Sequence, residues 1–202
     1  EFTNSLKKTN IDCYIFYFCK NYKKEIAKFE KNLKIKLPEL LFKNFNAELG
    51  EIKETYFNKF SIILVGYGED KKCSYENIGK ASLLLGQKII KEKLNNILIL
   101  LNIENNFYVE KEVENIILST YKFNKYKSSK NKKLNIDFYS SSRKIKDIVN
   151  FSIKKGKVIN EVRDLVNEPS NHLNSKTFAN YMKKNLPKSV KVTIYNEKKI
   201  KS

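Results

Sequence analysis

Apolar runs alternate with amphipathic stretches along this chain, a pattern that predicts an α/β domain. Dense β-prone runs at residues 11–19, 61–65, 96–102 and 134–139 predict strands. The run at 97–101 contains no polar residue, which is typical of a strand buried on both faces. Apolar residues at helical spacing predict helices near 75–89, with Ser74 as the N-cap, and near 108–120. This alternation favours a layered domain with a partly parallel sheet.

A long amphipathic helix is predicted from about Arg143 to Asn167. Pro169 ends it, because proline restricts the preceding residue and cannot continue the hydrogen-bond ladder. A short helix capped by Asn174 or Ser175 and a strand over 190–195 are predicted to follow. The apolar face of the long helix is predicted to contain Ile145, Ile148, Phe151, Val158 or Ile159, Val162, Leu165 and Val166.

Composition excludes a wholly disordered chain and a membrane-spanning helix, and it leaves open a basic surface that binds nucleic acid. The 202 residues are 41% hydrophobic, so the chain can bury a core and is not wholly disordered. No apolar run approaches the roughly 18 uncharged residues of a membrane helix, so we expect no membrane partner. The net charge is +18, but only Arg143 and Arg163 are arginines. Abundant Lys with Asn and Ile indicates compositional drift more than a selected basic surface, although the latter stays open.

The chain shows no convergent catalytic or metal-binding set. Cysteines stand at 13, 19 and 73 without C-x-x-C spacing, and His172 is the single histidine, so a Cys/His zinc site is not expected. We expect reduced thiols in a cytoplasmic protein. Glu110, Glu112 and Glu114 lie two residues apart on a predicted helix, so their carboxylates are not expected to converge on one site. The sequence therefore predicts no catalytic, metal or cofactor-binding residue.

Two further motifs have a structural and a functional interpretation. Gly66-x-Gly68 follows a strand and precedes a helix, as a phosphate loop does, but Lys71 stands where the third glycine would be. A tight turn explains both glycines as well. Residues 121–133 interleave aromatic side chains with six lysines, as single-strand nucleic-acid platforms do. Packing of these rings on the domain, with solvated lysines, is the favoured alternative.

Three segments resemble one known family. The segment RDLVNEPSN at 163–171 resembles the Arg-Asp-Leu-Val-Asn-Glu-Pro-x-Asn signature of leucyl (cytosol) aminopeptidases, at the junction of their two domains. Residues 63–68 resemble the family's Val-Leu-Val-Gly-Leu-Gly strand and turn, and residues 114–123 resemble a family helix end. Asn115 and Ser119 replace two family glycines in that helix. A structural role is expected for Arg163, Asp164, Leu165, Asn167, Pro169 and Asn171.

The resemblance implies a fold and a division into domains. It implies a three-layer mixed sheet flanked by helices, similar to a macro domain, over 1–141. A connecting helix over 142–168 and the opening segment of a metallopeptidase catalytic domain over 169–202 would follow. Family members form homo-hexamers in which the front domain helps to arrange the active sites. The implied role of this chain is therefore oligomer assembly and active-site access.

The resemblance also implies chemistry that lies outside this chain. In the family, a site with two divalent metals (Zn or Mn) and bound bicarbonate hydrolyses the first peptide bond of peptide substrates and so releases their amino-terminal residue. None of the family's ligand motifs matches a position here, so the chain alone is expected to be inactive. The alternative interpretation is a stand-alone basic α/β module that binds nucleic acid or nucleotide. Weak non-specific nucleic-acid binding is compatible with either interpretation.

Overall fold

The computed structural model describes residues 1–3, 10–20, 22–23, 25–27, 30, 36–57, 60–69, 74–101, 105–128 and 133–201. In this part of the chain the strands are β1 (Phe2–Thr3), β2 (Cys13–Cys19), β3 (Ile52–Phe57), β4 (Phe60–Gly68), β5 (Asn96–Leu100) and β6 (Asn135–Tyr139). They form one mixed sheet in the order β1-β6-β5-β2-β4-β3. All neighbouring pairs are parallel except β3 and β4.

The helices are α1 (Glu39–Phe42), α2 (Tyr75–Lys91), α3 (Asn106–Ser119), α4 (Lys146–Asn167), α5 (Ser175–Asn185) and α6 (Glu197–Lys201). A 3₁₀ turn at Arg143–Ile145 precedes α4. The predicted cap of α2 is confirmed, because the Ser74 hydroxyl accepts a hydrogen bond of 3.2 Å from the main-chain N–H of Asn77. Asn105 caps α3 in the same way by accepting from Phe107. Local polar residues therefore set where both helices begin.

Alternating side chains on β2 divide the core into two layers. Ile15 and Tyr17 are buried with apolar residues of α2, α3 and α4 on one face of the sheet. Phe16 and Phe18 are buried on the other face, with Leu41 of α1 among their neighbours. Register places Ile15 opposite Ile63 of β4 and Ile99 of β5. The expected mixed sheet flanked by helices is thus confirmed.

The predicted apolar face of the long helix is confirmed at Ile145, which is buried, and at Ile148, which packs against the core, but it is wrong at Phe151. Val149 and Ile153 are buried, whereas Phe151, predicted to face the core, is 55% exposed. The reason is the close approach of α4 to α3, since a Cβ on Gly156 would lie 2.7 Å from Cγ2 of Ile117. Small residues, which hydrophobic periodicity does not count, therefore mark the contact side of α4.

The strands of the structure differ from the predicted ones in two places. Residues 190–195 were expected to form a strand, but they have no regular secondary structure, and no neighbouring strand pairs with them in the part of the chain that the structure describes. Strand β3 was not predicted, because its sequence IKETYF mixes charged and apolar residues. Pairing with β4 stabilises it, from Ile52 opposite Val65 to Phe57 opposite Phe60.

The chain divides into two compact units, residues 1–160 and 161–202. The first unit contains the sheet and its two core layers. In the second unit, α5 contains no buried residue, and Val190, Ile194 and Tyr195 are exposed. Within the described residues, no helix is long and apolar enough to cross a membrane.

Candidate functional site

The junction segment at 163–171 forms a helix end followed by a turn. Arg163, Asp164 and Asn167 lie on the last turns of α4, and Leu165 is half-buried. The main-chain N–H of Glu168 donates to the carbonyl oxygen of Leu165 at 3.3 Å. The carbonyl oxygen of Pro169 accepts two hydrogen bonds of 2.9 Å, from the N–H groups of His172 and Leu173. The predicted end of the long helix before Pro169 is confirmed.

A capping box fixes the start of α5 directly after this turn. The Asn174 side chain accepts a hydrogen bond of 3.1 Å from the Thr177 N–H, and the Thr177 hydroxyl accepts one of 2.8 Å from the Asn174 N–H. The same hydroxyl lies 3.1 Å from the carbonyl oxygen of His172, to which it can donate. Asn171 and His172 are exposed in the turn between the two helices. The junction segment is thus held by local hydrogen bonds that connect α4 to α5.

The glycines of the Gly66-Tyr67-Gly68 turn are required by two different features of the backbone. A Cβ on Gly66 would collide with the main-chain carbonyl oxygen of Glu48. Gly68 has a φ of +86°, in the left-handed region that favours glycine, and its N–H donates to the carbonyl oxygen of Ala47. The close approach of residues 47–48 therefore explains Gly66, and the positive φ explains Gly68, without a phosphate ligand. Lys71 lies outside the described residues.

A buried carboxyl group, which sequence reasoning missed, lies beneath this turn. Glu112 of α3 is fully buried, and Tyr67 donates a hydrogen bond of 2.7 Å to its Oε2 atom. The ring of Tyr67 stacks on that of Tyr17 with centroids 4.7 Å apart. Burial raises the pKa of the Tyr17 hydroxyl well above its usual value, and the charge of Glu112 acts in the same direction. The core encloses this arrangement, in which a buried carboxyl group is held by a buried tyrosine hydroxyl.

Two of the glutamates on α3 converge, contrary to the expectation from sequence. Lys155 of α4 lies 2.9 Å from Glu110 Oε1 and 2.8 Å from Glu114 Oε2. Glu110 and Glu114 are four residues apart and so share one face of α3, which α4 approaches. Both carboxylates raise the pKa of the Lys155 ammonium group, Glu114 more strongly. The three charges connect two helices of the core layer.

The aromatic side chains of the basic segment at 121–133 mostly pack on protein. Tyr121 and Phe123 are half-buried, and Phe123 contacts Tyr126 edge-on with centroids 5.9 Å apart. Lys125 lies 5.7 Å from the ring centroid of Tyr126, which is itself exposed. Lys130 and Lys132 lie outside the described residues. Within the described part of this segment, the exposed side chains that a nucleic acid could contact are Tyr126 and its neighbouring lysines.

The described residues do not fit the family's metal site. Among them there is no group of three His, Cys, Asp or Glu side chains that could hold a metal ion. Cys13 is buried and free, and burial raises the pKa of its thiol to about 12. Cys19 is half-buried, and Cys73 lies outside the described residues.

Comparison with known sequences identifies one family. The sequence profile of the cytosol aminopeptidase family, N-terminal domain, matches residues 16–130. A probable cytosol aminopeptidase of Sulfurihydrogenibium sp. (strain YO3AOP1) is 29% identical, over 98% of this chain and 43% of the relative. One from Treponema denticola is 28% identical, over 76% of this chain and 35% of the relative. The chain thus spans less than half the length of these relatives.

Solved structures share the fold at low sequence identity. The bottromycin maturation enzyme BotP superposes with a TM-score of 0.66 at 14% identity, over 87% of this chain and 37% of that protein. A tomato leucine aminopeptidase mutant superposes with a TM-score of 0.66 at 15% identity, over 91% of this chain and 41% of that protein. These structures show the shared fold, and the profile match over more than half of the chain shows that it belongs to the cytosol aminopeptidase family and contains its N-terminal domain.

Proposed function

We propose that this chain is the non-catalytic front part of a metal-dependent aminopeptidase, and that it serves oligomer assembly and access to the active site. The observation that carries the proposal is the N-terminal-domain profile match at 16–130, in a chain that spans 43% of its Sulfurihydrogenibium relative. The absence of a metal-binding cluster among the described residues is compatible with catalysis elsewhere in the parent protein.

Apolar side chains that are exposed on the last turns of α4 and on α5 support the proposal of a further domain that would cover them. Val162 and Val166 are 53% and 79% exposed on the last turns of α4, and Phe178 is exposed on α5. Apolar residues at such positions are typical of surfaces that another domain covers. We propose a front domain at 1–141, a connecting helix at 142–168, and the opening segment of the catalytic domain at 169–202. In this assignment Arg163, Asp164, Leu165, Asn167, Pro169 and Asn171 shape the junction.

The finer properties of the parent protein are part of the same proposal. Its substrates would be peptides, from which it removes amino-terminal residues. Two divalent metals, with bound bicarbonate, would supply an activated water in the catalytic domain. A solved structure of BotP is a complex with Mn, which supports Mn as one candidate metal. We also propose a cytoplasmic homo-hexamer whose front domains resemble macro domains.

The test compares the 202-residue chain with a longer form extended through the residues encoded after Ser202. Both are assayed on a leucine chromogenic substrate with added Zn²⁺, Mn²⁺ or Co²⁺. We expect turnover by the extended form and none by the 202-residue chain. Metal-dependent turnover that follows the short chain through purification would contradict its non-catalytic role. An extended form without activity would contradict the assignment of the parent as an enzyme.

A second candidate function is weak, sequence-indifferent binding of nucleic acid. The net charge of +18 and the exposed Tyr126 beside Lys125 favour it. Such binding would depend on phosphate contacts and ring stacking and would not distinguish one base sequence from another. We therefore propose it as an accessory property of the family domain rather than as a separate role.

A further inference from the structure

Strand β3 stands at one end of the sheet, and its outer edge pairs with no other strand of the described ranges. On its inner side it is antiparallel to β4 over its whole length. An edge strand presents a row of N–H and C=O groups that can pair with another chain. The sequence IKETYF contains no proline that would interrupt such pairing. The outer edge of β3 is therefore a candidate for the addition of a further strand.

The register with β4 determines which residues of β3 direct their main-chain groups outward. The N–H of Ser61 on β4 donates to the carbonyl oxygen of Asp12 at 2.8 Å and so points away from β3. Ser61 lies opposite Tyr56, so this pair is not hydrogen-bonded and Tyr56 directs its groups away from β4. Because the direction alternates along a strand, the outward-facing residues of β3 are Ile52, Glu54 and Tyr56. Their N–H and C=O groups form the hydrogen-bonding side of the edge.

The charges on β3 select one antiparallel register with a second copy of the same strand. For at least two outward-facing residues of each copy to pair, the two-fold axis must pass through Lys53, Glu54 or Thr55. An axis at Lys53 or at Glu54 would set two like charges directly opposite each other, which destabilises a sheet. An axis at Thr55 sets two threonines opposite each other, a favourable cross-strand pair, and sets Lys53 opposite the uncharged Phe57. The strand is thus self-complementary about Thr55.

Two side chains on one face of β3 complement each other in this register. The Glu54 side chain is 7% exposed, and its Oε2 lies 2.8 Å from Lys88 of α2. Its Oε1 is buried without a hydrogen-bond partner among the described residues, which leaves an acceptor in need of a donor. Tyr56 is 72% exposed, and the Glu54 carboxylate of the same strand raises the pKa of its hydroxyl. An axis at Thr55 places Tyr56 of the second copy opposite Glu54, on the same face, as a further hydroxyl donor.

We propose that a second copy of this chain pairs with the outer edge of β3, antiparallel across a two-fold axis at Thr55. Each pair of Glu54 with the opposite Tyr56 exchanges two main-chain hydrogen bonds, and the two sheets become one. All of β3 belongs to the first compact unit. One short strand buries less than the about 1,200–2,000 Å² of a stable interface, so the contact alone gives a weak dimer. The inference rests on the proposed role in oligomer assembly, for which it names a surface.

Disulfide trapping of the 202-residue chain tests both the contact and its register, because a covalent bond captures a weak dimer. With the axis at Thr55, the two facing Cα atoms would lie about 4.5 Å apart, within the range of about 4.4–6.8 Å that a disulfide spans. Thr55→Cys should therefore give covalent dimer under mild oxidation, on non-reducing gels, at about five times the yield of the unaltered chain. Peptide mass spectrometry should locate the bond at position 55 of both copies.

Lys53→Cys is the matched control, since Lys53 and Thr55 are both half-buried and lie on one face of β3. With the axis at Thr55, the two copies of position 53 are four residues apart along the strands, about 13 Å, and cannot form a disulfide. Its dimer yield should therefore match that of the unaltered chain. Equal yields from the two cysteine variants, a higher yield from Lys53→Cys, or no trapped dimer from Thr55→Cys would each overturn the proposal.

Two changes at Tyr56, each combined with Thr55→Cys, test the hydrogen bonds of the contact. Tyr56→Pro removes an outward N–H and no bond to β4, so it should lower the dimer yield about fivefold. Tyr56→Phe removes only the hydroxyl and should lower the yield roughly twofold. Circular dichroism checks that both variants stay folded. If the proline variant is folded and its yield is unchanged, strand pairing is contradicted. If it unfolds, an unchanged yield in the phenylalanine variant contradicts the contact between Tyr56 and Glu54.

No readout of this experiment involves catalysis. Failure of trapping would remove the contact at β3 and leave the turnover of the extended form unaffected. An inactive extended form would remove the proposed enzyme and leave the trapped dimer unaffected. The two failures are therefore distinguishable.

Discussion

Gly86 of α2 faces Ser119 of α3 so closely that a Cβ on Gly86 would lie 2.6 Å from the Ser119 Cβ and would collide with its hydroxyl oxygen. Ser119 stands where the aminopeptidase signature has a glycine, and the hydroxyl lies 3.2 Å from the carbonyl oxygen of Ile116, to which it can donate. The glycine on α2 thus accommodates the side chain on α3. The two helices can therefore approach closely here because Gly86 has no side chain.

This relationship predicts an interaction that a double-mutant cycle can measure. Gly86→Ala should lower the free energy of unfolding by about 1–3 kcal/mol through overpacking. In the Ser119→Gly background the same change should be nearly neutral or stabilising, since alanine is the better helix former. Urea denaturation of the four proteins gives both values. Equal costs in the two backgrounds would show that Ser119 is not the obstacle.

Lys155 predicts a modest electrostatic contribution that depends on salt. Lys155→Gln should destabilise the fold by about 0.5–1 kcal/mol, because the ammonium group is partly exposed and its ion pairs are screened. Thermal unfolding at low and high salt should show the loss shrinking with salt. Lys154→Gln, the exposed neighbour, should change little at either salt concentration.

The same ion triad predicts a pH dependence. The folded-state pKa of Lys155 is raised, so its contribution is fully present below the unfolded-state pKa of about 10.4 and declines as pH rises above it. The stability difference between the unaltered chain and Lys155→Gln should therefore be constant from neutral pH to about pH 9 and shrink in more alkaline buffer. A difference that already falls below about pH 8 would contradict the assignment.

The buried pair of Tyr67 and Glu112 predicts a large loss of stability for one substitution and a small loss for another. Glu112→Ala removes the acceptor of the Tyr67 hydroxyl and leaves a cavity, which should cost about 2–4 kcal/mol. Glu112→Gln keeps the shape and a carbonyl acceptor, so it should cost less than about 1 kcal/mol. Chemical denaturation of both variants checks this order. A glutamine variant as unstable as the alanine variant would show that the negative charge itself is required.

The apolar residues at the end of α4, of which Val162 is exposed and Leu165 is half-buried, predict an effect on association rather than on folding. Val162→Ser with Leu165→Ser should reduce self-association in analytical ultracentrifugation while the sheet stays folded by circular dichroism. Lys176→Gln, an exposed change on α5, is the control. If the double change unfolds the chain, these residues belong to a core and the proposed boundary is wrong.

The basic segment predicts salt-sensitive binding of DNA without sequence preference. Lys125→Gln with Lys127→Gln should lower the affinity for unrelated duplexes equally, and reduce the salt slope by about 0.9 for each lost phosphate contact. Fluorescence anisotropy at two salt concentrations measures both quantities. Tight binding at physiological salt with preference for one duplex would instead support the basic-module interpretation.

The sequence alone determined the elements whose signals are local. Strands β2, β4, β5 and β6 follow from short β-prone runs, and α2 follows from a helical period with Ser74 at its cap. The end of α4 before Pro169 is equally local, because proline acts on its immediate neighbours. The junction signature at 163–171 also indicated the family from residues that are contiguous in the chain.

Tertiary structure decided the features that join residues distant in the chain. The core side of α4 depends on Gly156 meeting Ile117, and β3 exists because β4 supplies its hydrogen-bond partners. The convergence of Glu110 and Glu114 on Lys155 depends on how α4 packs on α3. Periodicity reports which residues avoid water along one element. It does not report which neighbouring element covers them, since that depends on the packing of residues tens of positions apart.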